Sequence, residues 1–158
     1  MSSQRIAVEI GVAHTTPKHG LGELHIDEEG NHYRYMQADG AVTKDLLYNY
    51  VPGTWQIDSV IKLAVNPADG KRVPCCVSPV NLADDEYAWV FVGPGAVTLT
   101  AAGAVAASAV IYGVNGNGTV DDAATACLLP GLTLPAAISS AGTGTFYATQ
   151  PLVAEDLP

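Results

Sequence analysis

The second half of this chain is almost without charge. From Tyr87 to Ala154 only Asp121 and Asp122 carry one, and neither lysine nor arginine occurs there. Across the whole chain charged residues make up 15%, against about 25% in ordinary soluble domains. A free-standing domain normally displays more charge, so part of this half is expected to face protein rather than water. Basic residues are scarce throughout: seven against sixteen acids, a formal net charge of −9. That balance argues against a direct nucleic-acid binder, whose phosphate contacts need clustered cations. Only Lys71 and Arg72 adjoin one another.

Other absences narrow the field further. The three cysteines include an adjacent pair, Cys75 and Cys76, with Cys127 far away. No spaced disulfide framework can be drawn from them, so buried structural thiols in a reducing compartment are expected. The longest weakly polar run, Ala101 to Val114, is too short and too glycine-broken to span a bilayer. Met1 to Arg5 lacks the apolar core of a signal peptide, so synthesis in the cytoplasm and no membrane partner are expected. No long helix is visible, and no repeat at a fixed period. Ala101 to Ser108 is alanine-rich, but Gly103 and the missing cap make it a connector.

What is present is β-pattern. Tyr87, Trp89 and Phe91 alternate with Ala88, Val90 and Val92, so both faces of one strand are apolar and both should be covered, by its own fold or by a neighbour. Gly93-Pro94-Gly95 breaks that strand. Ala96 to Thr100 and Ala109 to Val114 read as further strands, the latter running into the hairpin-turn signal Asn115-Gly116-Asn117-Gly118. Earlier in the chain, Arg5 to Val12 alternates with Ile6, Val8 and Ile10 on one face. Leu21 to Ile26 and His32 to Gln37 read as a hairpin around the acidic turn Asp27 to Asn31, with Leu24 and Ile26 on one arm and Tyr33 and Tyr35 on the other. Thr43 to Tyr50 is either one or two helical turns capped by Thr43 or an irregular strand. Trp55 to Val60, Ile61 to Val65 and Arg72 to Pro79 follow as short strands. Ala136 to Gly144 reads as a loop before a last strand at Thr145 to Thr149. The expected fold is all-β: a compact antiparallel β-sandwich or small β-barrel with short strands, long loops and little helix. Residues 1–12 form an N-terminal strand or arm, 13–153 a single β-rich domain and 154–158 a tail.

No constellation assembles into an active site, and the chain is read as a non-enzyme without cofactor. His14, His19, His25 and His32 match no zinc spacing and read as surface and turn residues. The acidic runs Asp27-Glu28-Glu29, Asp84-Asp85-Glu86 and Asp121-Asp122 lack a calcium-loop pattern and read as solvated turns. No nucleophile elbow or phosphate loop occurs. Asn117-Gly118-Thr119 matches a glycosylation sequon but lies in a tight turn of a chain not expected to be secreted.

Three stretches together resemble a known family. They are Gly20 to Glu23 with Asn31 to Ala38, then Leu82 to Gly95, then Thr119 to Ala124 with Gly131 to Val153. They resemble small virion proteins of tailed bacteriophages, described as head decoration, cement or minor structural proteins. The resemblance implies a homo-oligomer, most often a trimer, on the exterior of an assembled capsid. There it would bridge major capsid subunits and stabilise the shell. The candidate subunit or capsid contacts on that reading are Ile6, Val8, Ile10, Tyr87, Trp89, Phe91, Val97 and Leu99. The alternative is a head-fibre or tail adhesin module that binds host-surface glycans, with Tyr48, Tyr50 and Trp55 as its exposed aromatics.

Overall fold

The computed structural model describes residues 8–58, 72–114, 116–123 and 127–156. Thirteen short strands carry the fold and no helix occurs among the described residues. The first half holds β1 (Leu24–Ile26), β2 (His32–Asp39), β3 (Leu47–Val51), β4 (Gln56–Asp58), β5 (Val73–Val77) and β6 (Tyr87–Phe91). The second holds β7 (Gly95–Ala101), β8 (Tyr112–Gly113), β9 (Val120–Asp121), β10 (Cys127–Leu128), β11 (Leu132–Thr133), β12 (Gly142–Ala148) and β13 (Val153–Asp156).

Strand β2 pairs with β4, β4 with β3, β3 with β5, β5 with β6, and β6 returns to β2. The result is a closed five-stranded barrel with the other strands outside it. Of the two all-β architectures expected, the small barrel is the one formed. It is not purely antiparallel, because β2–β4 and β7–β9 run parallel. Strand β1 pairs with β2, and the other strands form a second sheet in the order β13–β10–β8–β9–β7–β12–β11, joined to the barrel where β13 pairs with β5.

Two cores follow from the period of two along the barrel strands. Met36, Tyr48, Ile57, Cys76, Ala88 and Val90 point inward and fill the barrel. Leu47, Cys75, Val77 and Phe91 point outward and pack with Val97, Leu99, Phe146 and their neighbours on the second sheet. Strands β3, β5 and β6 therefore serve two interiors, which is why β6 is apolar on both faces. Its cover comes from its own chain. A third layer lies elsewhere on the outer wall, where Tyr35 and Trp89 are buried under the segment leading into β1.

Polar side chains shape the turns between these layers. Asp27 Oδ1 accepts the N–H groups of Glu29 (3.0 Å) and Asn31 (2.8 Å), and its Oδ2 accepts Asn31 Nδ2 at 2.8 Å. Buried Asn31 then accepts the N–H of Ala96 at 2.7 Å, which ties the β1–β2 turn to the start of β7. Gly95 (φ 129) is required there, because a Cβ would lie 2.4 Å from Asn31 Oδ1.

Several expectations are corrected. Residues 8–12 form no strand: the chain turns at Ile10–Gly11, with Gly11 at φ 84, and only His14 bridges to Tyr87. Residues 1–7, including Ile6, and the expected strand Ile61 to Val65 lie outside the described residues. The helical alternative for Thr43 to Tyr50 fails at Asp45, whose φ of 60 breaks a right-handed turn, and the strand begins only at Leu47. The expected hairpin around Asp27 to Asn31 does form, with Leu24 opposite Arg34 and Ile26 opposite His32. Residues 153–156 are a strand held between β5 and β10, not a tail. The expected loop at Ala136 to Gly144 gives way to β12 from Gly142 onward.

Candidate interaction surface

Strands β7 and β12 are the longest pair of the second sheet, in register from Gly142↔Ala101 to Ala148↔Gly95. Their inner residues Val97, Leu99 and Phe146 are buried. Ile138 packs over Gly144, so a side chain at this strand position would have to displace the Ile138 side chain. The outer face is set by the same alternation. Thr98 stands opposite Thr145, Thr100 opposite Thr143, and Ala96 opposite Tyr147. Tyr147 is 48% exposed, and Thr133 of β11, opposite it, extends the face. Cross-strand threonines pack methyl to methyl and leave hydroxyls outward. No charged residue stands on these two strands.

Asp121 and Asp122, the only charges between Tyr87 and Ala154, are occupied by backbone N–H groups. Asp122 Oδ2 accepts the N–H of Ala106 at 2.8 Å, and Asp121 Oδ1 accepts the N–H groups of Asp122 and Ala123. Neither screens the threonine face. What results is a hydroxyl-bearing, uncharged surface with one aromatic ring at its end. Such a surface is suited to contact with protein and offers nothing for acid–base or nucleophilic chemistry.

The expected contact residues are placed differently. Trp89 and Leu99 have no exposure, Phe91 has 2% and Val97 has 7%. These four side chains are consumed by the chain's own interior, and the interface expectation for them is corrected. Tyr87 is half-buried and stacks on Tyr35 at 6.2 Å. Val8 and Ile10 are half-buried in irregular backbone. Sequence reasoning missed the threonines because Thr-Leu-Thr and Thr-Gly-Thr read only as strand. The signal available was Thr98-Leu99-Thr100 and Thr143-Gly144-Thr145, two runs of hydroxyls at alternate positions.

The histidines are also placed otherwise than expected. The side chains of His14 and His19 are only 9% and 6% exposed. His19 and His25 tilt against Trp89 with ring centroids 4.9 and 5.6 Å away. His14 Nδ1 lies 2.8 Å from the Tyr35 hydroxyl, which also accepts the N–H of Lys18 at 3.1 Å. These are packing rings that seal Trp89 and Tyr35, not surface groups. No group of three or more His, Cys, Asp or Glu able to hold a metal occurs among the described residues. Cys75, Cys76 and Cys127 are free and buried, and burial pushes the Cys75 and Cys76 thiols far up from their ordinary range.

The acids at the remaining turns are structural. Asp84 Oδ1 accepts the N–H of Gly40, Asp85 Oδ1 accepts Gln37 Nε2, and Glu86 Oε2 accepts the N–H of Ala83. The aromatics proposed for glycan binding are engaged too. Tyr48 is fully buried and its hydroxyl accepts the N–H of Thr43. Trp55 stacks on Tyr50 at 6.0 Å, lies 4.7 Å from the Arg34 guanidinium and presses on Gly22. No protein-family model, curated protein or solved structure matches this chain.

Proposed function

We propose that this chain is a virion structural protein that decorates the outside of a phage capsid and bridges its major capsid subunits. The observation that carries the proposal is the uncharged threonine face of β7 and β12, open in a single copy. A protein with a net charge of −9 that keeps the outer face of β7 and β12 free of charge makes that face cheaper to dehydrate than a charged one. The described basic residues, Lys18, Arg34, Lys44 and Arg72, lie on the barrel side with the acidic turns at Asp27 and Asp84, where charge favours the intended surface over others. The partners on this reading are further copies of the chain, as a homotrimer, and the capsid lattice, with no nucleic acid and no membrane. Repetition across a lattice makes modest contacts sufficient through multivalency. The glycan-binding alternative is weakened, since Tyr48, Tyr50 and Trp55 are all engaged within the fold.

The test is direct. Sedimentation of the purified chain should give a trimer, and co-sedimentation with undecorated phage shells should saturate at a fixed ratio to the capsid subunit. A stable monomer that stays in the supernatant overturns the proposal.

A further inference from the structure

A pocket opens at the seam between the barrel and the second sheet. Its volume is about 230 Å³, below the roughly 300 Å³ at which sites for drug-sized ligands begin. It is on the scale of one long side chain. The floor is apolar: Val77, Phe91 and Val97 are all buried. Tyr33 forms a half-buried wall, set edge-on to Phe91 at 5.8 Å, and Thr98 brings a hydroxyl to the rim. Asp45 is the only charged residue in the lining.

Asp45 is held firmly in place. Its N–H donates to the Ser78 carbonyl at 3.0 Å, and its own carbonyl accepts the N–H of Thr100 at 2.9 Å. Backbone on both sides of the seam thus fixes a residue at φ 60, a conformation Asp and Asn tolerate better than most. Its carboxylate has no hydrogen-bond or ion-pair partner among the described residues. The neighbouring Lys44 is exposed and does not line the pocket.

We propose that this pocket receives a basic side chain, arginine ahead of lysine, from a partner protein. The aliphatic stem lies against the half-buried Pro79 and Ala96 above the buried floor, and the cation meets the Asp45 carboxylate while stacking on Tyr33. A guanidinium is planar, so it satisfies both requirements at once, whereas an ammonium serves only as a point charge. The surrounding field has the matching sign. Burial first, and then the charges of Asp27 and Glu29, push the Tyr33 hydroxyl up from its ordinary range. An anionic side chain is repelled by that arrangement, and a neutral apolar one gains nothing from the carboxylate.

The pocket is tested with free ligands and no shell, so its outcome is separate from that of lattice binding. Amide shifts of the full chain are followed in titrations with N-acetyl-arginine amide, N-acetyl-lysine amide and N-acetyl-norleucine amide at low ionic strength. The arginine probe should give saturable shifts at Phe91, Val97 and Thr98, and bind at least about tenfold more tightly than norleucine, the difference one charge-assisted contact makes. Asp45→Asn keeps a residue suited to the same backbone and should remove that preference. Thr98→Trp, at an exposed rim position, should block entry without disturbing the core. Equal binding of arginine and norleucine, arginine binding undiminished in both variants, or no saturable shift at the pocket overturns the proposal.

Discussion

The barrel and the second sheet solve the same packing problem with different surfaces. Both bury one side of their strands, and both have a side left for water. Among the described residues, the barrel side carries the basic residues Lys18, Arg34, Lys44 and Arg72, together with the acidic turns at Asp27 and Asp84. The β7–β12 face of the second sheet carries threonine and alanine with no charge; the acids of that sheet lie elsewhere, Asp121 and Asp122 accepting backbone N–H groups and Glu155 of β13 pairing with Arg72. Folding alone does not demand this division, since surface substitutions rarely move stability by more than about 0.5 kcal/mol. The difference therefore points to what each surface meets. One is built to stay wet, and the other is built to be dehydrated at little cost.

The comparison breaks first where the two regions are shared. Phe91 stands in the barrel wall yet packs in the layer beneath the second sheet. Phe91→Ala should cost about 3–5 kcal/mol, read as a lower urea midpoint with one transition. Two separated transitions would show that the halves are independently stable and that the seam is a mere contact.

Next in size is the turn that docks one half on the other. Leu47 donates its N–H to the Gly118 carbonyl at 2.7 Å, and a Cβ on Gly118 would lie 2.7 Å from the Leu47 carbonyl oxygen. With φ at 72 as well, Gly118→Ala should cost roughly 1–3 kcal/mol, checked by the same melts. A loss below that range would mean that the β8–β9 turn moves freely against the barrel.

The surfaces themselves are contrasted by charge. Thr98→Glu combined with Thr145→Glu places like charges directly opposite each other, a fold cost of up to about 1 kcal/mol. The double variant should lose shell binding by at least about tenfold, a 1.4 kcal/mol effect, measured by co-sedimentation. Lys44→Gln on the barrel side should leave shell binding unchanged. Equal effects from both sides would erase the distinction drawn here.

The smallest effect is expected in acid. Burial works against the charged form of Asp27, but the hydrogen bonds from Asn31 and Glu29 outweigh it and hold this carboxyl below its ordinary range. A carboxyl whose folded pKa is depressed contributes stability that is fully present above its unfolded pKa. That contribution fades as pH falls through the folded value. Urea midpoints measured from neutral to acid pH should fall less steeply in Asp27→Asn than in the parent chain.

Local patterns were legible in the sequence, and long-range closure was not. The two-faced apolar alternation of Tyr87 to Val92 correctly announced a strand covered on both sides. It did not say by what, and so Trp89, Phe91, Val97 and Leu99 were read as outward contacts. The Asn115 to Gly118 signal marked the turn joining β8 to β9, whose pairing is Tyr112↔Asp121 and Gly113↔Val120. By contrast, the parallel β2–β4 pairing that helps close the barrel leaves no local trace. It is set by burying Met36 and Ile57 in one interior. The histidines were misread because imidazole counts as polar in a pattern, yet its ring covers an indole as well as an apolar residue does.

One strand of the barrel wall divides the two interiors at the spacing of a single peptide unit. Cys75 lies in the layer beneath the second sheet and Cys76 inside the barrel, both without exposure. Evolution has thus left adjacent sulfur atoms as witnesses on opposite sides of one partition. A brief pulse of alkylating reagent, followed by peptide mass analysis, reads which chamber opens first when the molecule breathes.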